Sequence, residues 1–266
     1  MYKDFYNLRE YPFNVTPDPT FYFSSNHHNE AFAHLVYGIK QRKGILVVTG
    51  EVGTGKTTLC RTLLNHLDSK TKTALILNPN FSEVQLLQLI TKDLGIQTKQ
   101  KNKFGLISAL NEFLLNETRR GNNVVLILDE SQNLNARQLE QIRLLSNLET
   151  EKEKLLQIIL VGQPELLEKL NLSSLRQLNQ RITVRYHMQP LDKNEVDAYI
   201  HHRLKVAGPE GRVQFTPEAI DRIYSHSGGT PRMVNILCDR ALLAGFVQEA
   251  SAINQNIIES CIKEIT

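Results

Sequence analysis

The spacing of apolar residues changes along the chain from a helical period to short continuous runs. Apolar positions at Ala31, Leu35 and Ile39 predict an amphipathic helix over about 27–42. Short β-branched runs then predict strands buried on both faces, at Gly44–Thr49, Thr73–Leu77, Val124–Leu128 and Leu155–Val161, with a weaker fifth at Ile182–His187. Helical patterns separate the later runs, at about 83–94, 105–119, 136–148 and 173–180. This alternation predicts a parallel five-stranded sheet flanked by helices.

The strand signal stops after Pro190. Four helical patterns follow, at about 191–206, 217–225, 232–248 and 254–265. The first 26 residues are rich in aromatic residues, proline and asparagine, which is typical of an extended strap packed on the main domain. We therefore predict an N-terminal strap over 1–26, an α/β domain over 27–190 and an all-helical lid domain over 191–266.

Composition and charge narrow the class of protein. Hydrophobic residues make up 41% of the chain and charged residues 22%, which excludes a mostly disordered chain. No apolar run approaches the roughly 18 residues of a membrane span, and the N-terminus lacks a signal-peptide pattern. The three cysteines, Cys60, Cys238 and Cys261, form no metal or redox motif, so a cytoplasmic protein is expected. With 31 basic and 28 acidic residues, charge alone does not indicate a nucleic-acid partner.

A phosphate-binding motif follows the first predicted strand. The sequence Gly50-Glu51-Val52-Gly53-Thr54-Gly55-Lys56-Thr57 matches the P-loop pattern and leads into a helix, and we include Thr58 in the nucleotide-binding set. Glycines let successive backbone N–H groups point at a phosphate, and the helix N-terminus adds its positive dipole end. Lys56 is expected to reach the β- and γ-phosphates, and the Thr57 hydroxyl to bind Mg²⁺. The motif therefore predicts ATP and magnesium as ligands.

Polar residues follow two of the other predicted strands. Asp129 and Glu130 end the run VVLIL, so we expect Asp129 beside the magnesium and Glu130 to polarise the attacking water. Gln163 ends the fourth run and is expected to point at the γ-phosphate or that water. Gly228-Gly229-Thr230-Pro231-Arg232 places Arg232 in the first turn of a helix. A cation there opposes the helix dipole, so nucleotide phosphate is its expected partner.

Six segments together resemble the AAA+ ATPases, and in particular the ExeA/GspA family of the general secretion pathway. These segments, which lie along nearly the whole chain, are FYNLREYPFNVTPDPTFYF, GEVGTGKTTL, VLILDESQNL, LVGQPEL, LRQLNQRITVRYHM and SGGTPRMVNILCDRAL. The resemblance implies a sensor 1 role for Gln163 and a sensor 2 role for Arg232. It also implies an arginine finger acting on a neighbouring subunit at Arg181, with Arg176 as the alternative, and it places Pro12 and Phe13 near the adenine.

The resemblance further implies self-assembly and a membrane partner of the GspB/ExeB type, for an ATPase that drives or regulates assembly of an envelope secretion or pilus system. Secretion-system members of the family continue after the ATPase into a transmembrane segment and a peptidoglycan-binding region. Here the sequence ends at Thr266, so it is either one portion of a longer protein or a shorter relative. A DNA-transposition regulator and a nucleotide-gated scaffold with little turnover are the alternatives. The first lacks an arginine-rich arm, and Glu130 speaks against the second.

Overall fold

The computed structural model describes residues 1–79, 81–151, 153–208 and 212–265. The chain forms two compact units. The unit that we call the sheet unit comprises Asn29–Glu51 and Cys60–Met188. The unit that we call the helical unit comprises Met1–His28, Val52–Leu59 and Gln189–Thr266. The domain boundaries expected after residues 26 and 190 stay predictions.

The sheet unit contains one five-stranded sheet in which all paired strands are parallel. Its strands are β1 Ile45–Gly50, β2 Thr71–Ile76, β3 Asn123–Leu128, β4 Gln157–Gly162 and β5 Ile182–Met188. Their order across the sheet is β2-β3-β4-β1-β5. The predicted parallel five-stranded sheet is therefore confirmed.

Burial explains why the strands differ in sequence pattern. Nearly every side chain of the three inner strands β3, β4 and β1 is buried, so these strands are continuous apolar runs. The edge strand β5 alternates between partly buried and exposed residues, because one of its faces meets solvent. That alternation is the reason why ITVRYH is the weakest strand pattern in the sequence.

Helices cover the sheet between the strands. Their bounds are α2 Asn26–Lys40, α3 Lys56–His66, α4 Glu83–Asp93, α5 Lys103–Arg119, α6 Ala136–Leu145, α7 Glu165–Leu170 and α8 Arg176–Asn179. Side-chain oxygens of Ser82, Asn102 and Asn135 accept backbone N–H groups at the starts of α4, α5 and α6, which explains where these helices begin. Within the described ranges, no helix has the length and apolar character needed to cross a membrane.

The helical unit is built on four longer helices and one short one. These are α1 Tyr2–Phe5, α9 Lys193–Ala207, α10 Pro217–Ser227, α11 Pro231–Val247 and α12 Gln255–Ile265. The four predicted C-terminal helices are therefore present. One correction is needed to the expectation that this region is all helical, because β6 Gln214–Phe215 and β7 Ala252–Ile253 form a small parallel pair. Strands of two residues are too short to leave a period in the sequence.

The N-terminal segment packs within the helical unit. The Arg203 guanidinium of α9 donates hydrogen bonds to the backbone oxygens of Pro12, at 2.5 Å, and Asn14, at 3.1 Å. It also lies 4.7 Å from the centre of the Phe21 ring, a cation–π contact. Tyr6 is fully buried in the same core. Apolar and aromatic side chains of the helical unit thus enclose this segment.

A glycine pair shapes the turn between α10 and α11. Gly228 and Gly229 both have positive φ, at 56° and 74°. A Cβ at Gly229 would lie 1.9 Å from the carbonyl oxygen of Leu191, whereas a Cβ at Gly228 would meet nothing within 4 Å. The close approach exists because the Leu191 N–H donates a 3.0 Å hydrogen bond to the Gly229 carbonyl. Gly229 is therefore required by space as well as by backbone conformation.

We expect Gly229→Ala to lower the free energy of unfolding by about 3 kcal/mol or more, because strain and a backbone collision act together. Gly228→Ala is the matched control, and only left-handed backbone strain of about 1 kcal/mol is expected there. Urea unfolding followed by circular dichroism measures both values. Equal losses in the two variants would contradict the steric argument.

Candidate functional site

Three neighbouring strands of the sheet end beside one another at its carboxyl edge. In the order β3-β4-β1, these strands lead into Asp129, Gln163 and the P-loop that starts at Gly50. The register pairs Thr49 of β1 with Gly162 of β4, so both strands end at the same level. Parallel strands in this arrangement collect polar loop residues at one edge, which is where α/β proteins bind ligands.

The acidic pair has one buried and one partly exposed carboxylate. Asp129 is 2% exposed, and its Oδ1 accepts a 2.9 Å hydrogen bond from the backbone N–H of Glu130. Its own N–H donates to the Ile76 carbonyl of β2, at 2.9 Å. Glu130 has left-handed backbone dihedrals, φ 55° and ψ 36°, which are uncommon for a residue with a side chain. Such a conformation at a strand end marks Glu130 as a candidate functional residue.

Two glutamine side chains hold the Glu130 carboxylate. Its Oε2 accepts hydrogen bonds from the Nε2 groups of Gln132, at 2.5 Å, and Gln163, at 3.3 Å. Gln132 Oε1 in turn accepts the backbone N–H of Gln163, at 3.1 Å. The structure thus brings together Glu130 and Gln163. Sequence reasoning missed Gln132, because nothing in the loop SQNL shows which of its polar side chains turns back.

The P-loop has the backbone conformation that its glycines allow. Gly53 and Gly55 have φ values of 83° and 95°. The side chains of Thr54 and Lys56 are buried, and α3 starts at Lys56. Successive N–H groups in such a turn, placed before a helix N-terminus, form an anion-binding concavity. The predicted strand–loop–helix context of the motif is therefore present.

The start of α11 lies directly against the P-loop within the helical unit. The backbone N–H of Arg232 donates a 3.2 Å hydrogen bond to the Gly53 carbonyl. A Cβ at Gly53 would lie 2.6 Å from the Cβ of Arg232. The Arg232 side chain is exposed at the second position of α11. Its backbone therefore contacts the P-loop, and its guanidinium is available to a bound phosphate.

The two strap residues expected near the adenine, Pro12 and Phe13, make different contacts. Pro12 presents its carbonyl to Arg203, as described above. The Phe13 side chain is 1% exposed and packs at 81° to the Phe215 ring, with 6.1 Å between the ring centres. Phe13 also lines a cavity of about 390 Å³ in the helical unit, together with Tyr11 and Ile236. Ile236 lies one helical turn after Arg232.

Arg176 and Arg181 lie at the other end of the sheet. β5 begins directly after Arg181, and its first residue, Ile182, pairs with Ile45 at the start of β1. A six-residue strand spans about 20 Å, so Arg181 is far from the edge where β1 leads into the P-loop. Arg176 is exposed at the start of α8. In the part of the chain that is described, neither guanidinium forms an ion pair.

The expected magnesium ligands have the right chemistry. Thr57 supplies a hydroxyl and Asp129 a carboxylate, and Mg²⁺ prefers oxygen donors and keeps several waters or phosphate oxygens. Among the described residues, no group of three or more His, Cys, Asp or Glu side chains could hold a metal ion alone. That donor set suits a cation that arrives with a nucleotide, with few ligands from the protein.

Comparison with known proteins agrees with the motifs. A family model described as an AAA domain matches residues 39–170. General secretion pathway protein A of Aeromonas hydrophila is 43% identical over 267 residues, and the match covers 100% of this chain and 49% of that protein. The chain therefore spans about half the length of this curated relative.

Solved structures share the fold at low identity. The Aeropyrum pernix ORC2 protein, solved as ADPNP–ADP complexes, aligns with a TM-score of 0.71 and 17% identity, over 95% of this chain and 71% of that one. Cdc6p of Pyrobaculum aerophilum gives a TM-score of 0.68 with 18% identity, over 93% and 70%. The Thermotoga maritima RuvB branch migration motor gives 0.59 with 20% identity, over 90% and 69%. These likenesses show the fold alone.

The parallel sheet, the P-loop before α3 and the acidic pair after β3 are the parts of a P-loop nucleoside triphosphatase. The match to the Aeromonas hydrophila protein covers the whole chain, so it includes these parts and the helical region that follows them. On these grounds, the chain belongs to the ExeA/GspA-like family of AAA+ ATPases.

Proposed function

We propose that the protein binds ATP with Mg²⁺ and hydrolyses it, to drive or regulate the assembly of a bacterial envelope secretion or pilus system through a membrane partner. The observation that carries the proposal is the carboxyl edge of the sheet. There β1 leads into a P-loop, and β3, two strands away, ends in a carboxylate that two glutamine amides hold. Related folds solved with ADPNP and ADP support a nucleotide as the ligand.

Each side chain has a distinct role in the proposed reaction. Backbone N–H groups of the P-loop and the Lys56 ammonium bind the phosphates, and Arg232 adds a second cation. Bound Mg²⁺ would neutralise charge on the phosphate oxygens, held by the Thr57 hydroxyl and by Asp129. Glu130 orients and polarises the attacking water, and Gln163 hydrogen-bonds the γ-phosphate or that water.

Pro12 and Phe13 would lie near the adenine ring. Support comes from the cavity that Phe13 lines with Ile236, one turn along α11 from Arg232. The cavity has aromatic walls at Tyr11 and Phe13 and polar side chains at Asp239 and Arg240, a mixed lining that suits a planar base.

We expect Glu130→Gln to bind ATP with a parental Kd and to hydrolyse it roughly 10²–10⁴ times more slowly, because only the water-polarising charge is lost. Lys56→Ala should instead raise the Kd for ATP by about 10- to 100-fold, the effect of losing charge-assisted hydrogen bonds. Fluorescent nucleotide titration and phosphate release measure the two effects separately.

Lys72→Ala is the matched control, because Lys72 is an exposed lysine on the edge strand β2. It should leave both binding and turnover unchanged. Parental hydrolysis by Glu130→Gln would remove Glu130 from the proposed role.

Arg181 is proposed to act on the nucleotide of an adjacent subunit. The two ends of a six-residue strand are roughly 20 Å apart, and an arginine side chain is far shorter than this. Arg181, at the amino end of β5, is therefore badly placed to reach a phosphate at the carboxyl ends of the strands in its own subunit. A surface that presents a finger to a different surface of the next copy makes a heterologous contact, which generates rings or filaments.

Mixing two inactive variants tests the finger. Arg181→Ala should slow hydrolysis by a factor on the order of 10³–10⁵, and Lys56→Ala should be inactive. A mixture should regain part of the activity, because some interfaces then join an intact P-loop to an intact Arg181. Arg119→Ala, at an exposed arginine that ends α5, is the control.

If Arg181→Ala keeps its activity, the finger assignment is wrong. The same mixing experiment with Arg176→Ala then tests the alternative residue.

A membrane protein of the GspB/ExeB type is the proposed partner, and the inner membrane is the proposed place of action. The support is the whole-chain identity to general secretion pathway protein A. We expect the protein to float with vesicles that contain this partner and not with vesicles of the same lipids alone. Equal flotation with both vesicles, or with neither, would contradict the partnership.

A further inference from the structure

A buried histidine in the first turn of α2 contacts the P-loop backbone. His28 is 5% exposed, and its Nε2 lies 3.0 Å from the carbonyl oxygen of Thr54. Its Nδ1 lies 2.7 Å from the hydroxyl of Ser25. A carbonyl oxygen can only accept, so Nε2 carries the proton and donates it to Thr54. Nδ1 is then the acceptor for the Ser25 hydroxyl.

The environment keeps this ring neutral. Burial lowers the pKa of His28. The hydrogen bond to Thr54 and the charge of Glu195 act against this effect without reversing it. The Tyr22 ring packs edge-on at 5.8 Å. At neutral pH His28 therefore acts through its geometry and not through a charge.

The hydrogen bond sets the direction of one P-loop peptide plane. In a planar trans peptide the C=O and the following N–H point in opposite directions. Because the Thr54 carbonyl points at His28, the N–H of Gly55 points away from the ring. The Gly53 carbonyl is held in the same way by the Arg232 N–H, which turns the Thr54 N–H. Two successive amides are thus oriented through their outward carbonyls.

Gly55 is shaped to this contact. A Cβ at Gly55 would lie 2.9 Å from His28 Nε2, so the imidazole occupies the space that a side chain would need. Gly55 also has a positive φ, which glycine adopts without strain.

We propose that His28 is a positioning residue for phosphate binding, which orients the Thr54–Gly55 peptide so that the Gly55 N–H meets a nucleotide phosphate. The inference rests on the proposed nucleotide-binding function. The Gly55 N–H would contact the phosphate chain of the nucleotide. Loss of the His28 contact should therefore weaken the binding of inorganic pyrophosphate as much as that of ADP.

His28→Phe keeps a ring of similar size and removes the N–H donor. His28→Gln restores a donor, since the amide Nε2 can reach a comparable position. We expect the Phe variant to bind ADP and pyrophosphate about tenfold more weakly, the effect of one lost hydrogen bond and an unsatisfied carbonyl. The Gln variant should recover to within about threefold of the parental chain. His34→Phe, at an exposed position of the same helix, is the matched control and should bind normally.

A spectroscopic measurement separates positioning from general stability. With ¹⁵N-labelled protein, the amide resonance of Gly55 should move on ADP addition in the parental chain and the Gln variant, and much less in the Phe variant. Ser25→Ala provides a test that leaves the imidazole in place. It removes the hydroxyl that contacts both Nδ1 and the backbone N–H of His28, so the ring is held less firmly against the Thr54 carbonyl and ADP affinity should fall about threefold.

The outcomes distinguish the two proposals. If the parental chain and His34→Phe fail to bind ADP, the proposed function is wrong. If the parental chain binds ADP and His28→Phe binds it equally well, the positioning role is wrong. Equal weakness of the Phe and Gln variants would also overturn it, because the ring itself and not the donor would then matter. If His28→Phe does not fold, the other two variants decide. Parental ADP affinity in Ser25→Ala together with weak ADP binding by His28→Gln would count against the proposal.

Discussion

The orientation of the peptide planes in the P-loop is the constraint on which the candidate site depends. A backbone loop binds phosphate when several of its N–H groups converge on one point. Each N–H can point inward only when the C=O of the same peptide unit points outward and meets a hydrogen-bond donor. Gly53 and Gly55 make the required dihedrals accessible. The donors for the outward carbonyls come from the Arg232 backbone and the His28 ring. The glycines therefore allow the backbone conformation of the P-loop. Neighbouring residues of the helical unit determine how its peptide planes are oriented.

The carboxylates of Asp129 and Glu130 are likewise held by neighbouring groups. Asp129 is buried at the end of an inner strand, where a carboxylate needs hydrogen bonds or a cation to offset desolvation. Glu130 is turned out of the strand by left-handed dihedrals, and the amides of Gln132 and Gln163 accommodate its charge. One residue step along the chain thus separates a buried acid from an accessible one, which suits different roles in metal binding and water activation.

Most of the fold was predictable, and the failures have physical causes. Inner strands buried on both faces produce unbroken apolar runs, so β1, β3 and β4 are visible in the pattern alone, whereas the edge strands β2 and β5 are partly exposed. The pair β6 and β7 was missed, because two residues cannot show a period. The strap was expected to pack on the main domain. Its aromatic residues predict burial, but composition says nothing about which surface provides it, and Arg203 in α9 turned out to hold it.

For the site, the sequence by itself determined the chemistry that depends on adjacent residues: the P-loop, the acidic pair after β3, and Gln163 at the end of the next strand in the sheet. These features are visible because local backbone geometry needs particular residue types at fixed spacing. Tertiary structure alone decided which further groups complete them. Gln132 turns back to Glu130 and also accepts the N–H of Gln163, and His28 reaches the carbonyl of Thr54. A hydrogen bond between residues 26 positions apart depends on how elements pack, and packing leaves no mark in the spacing of either residue.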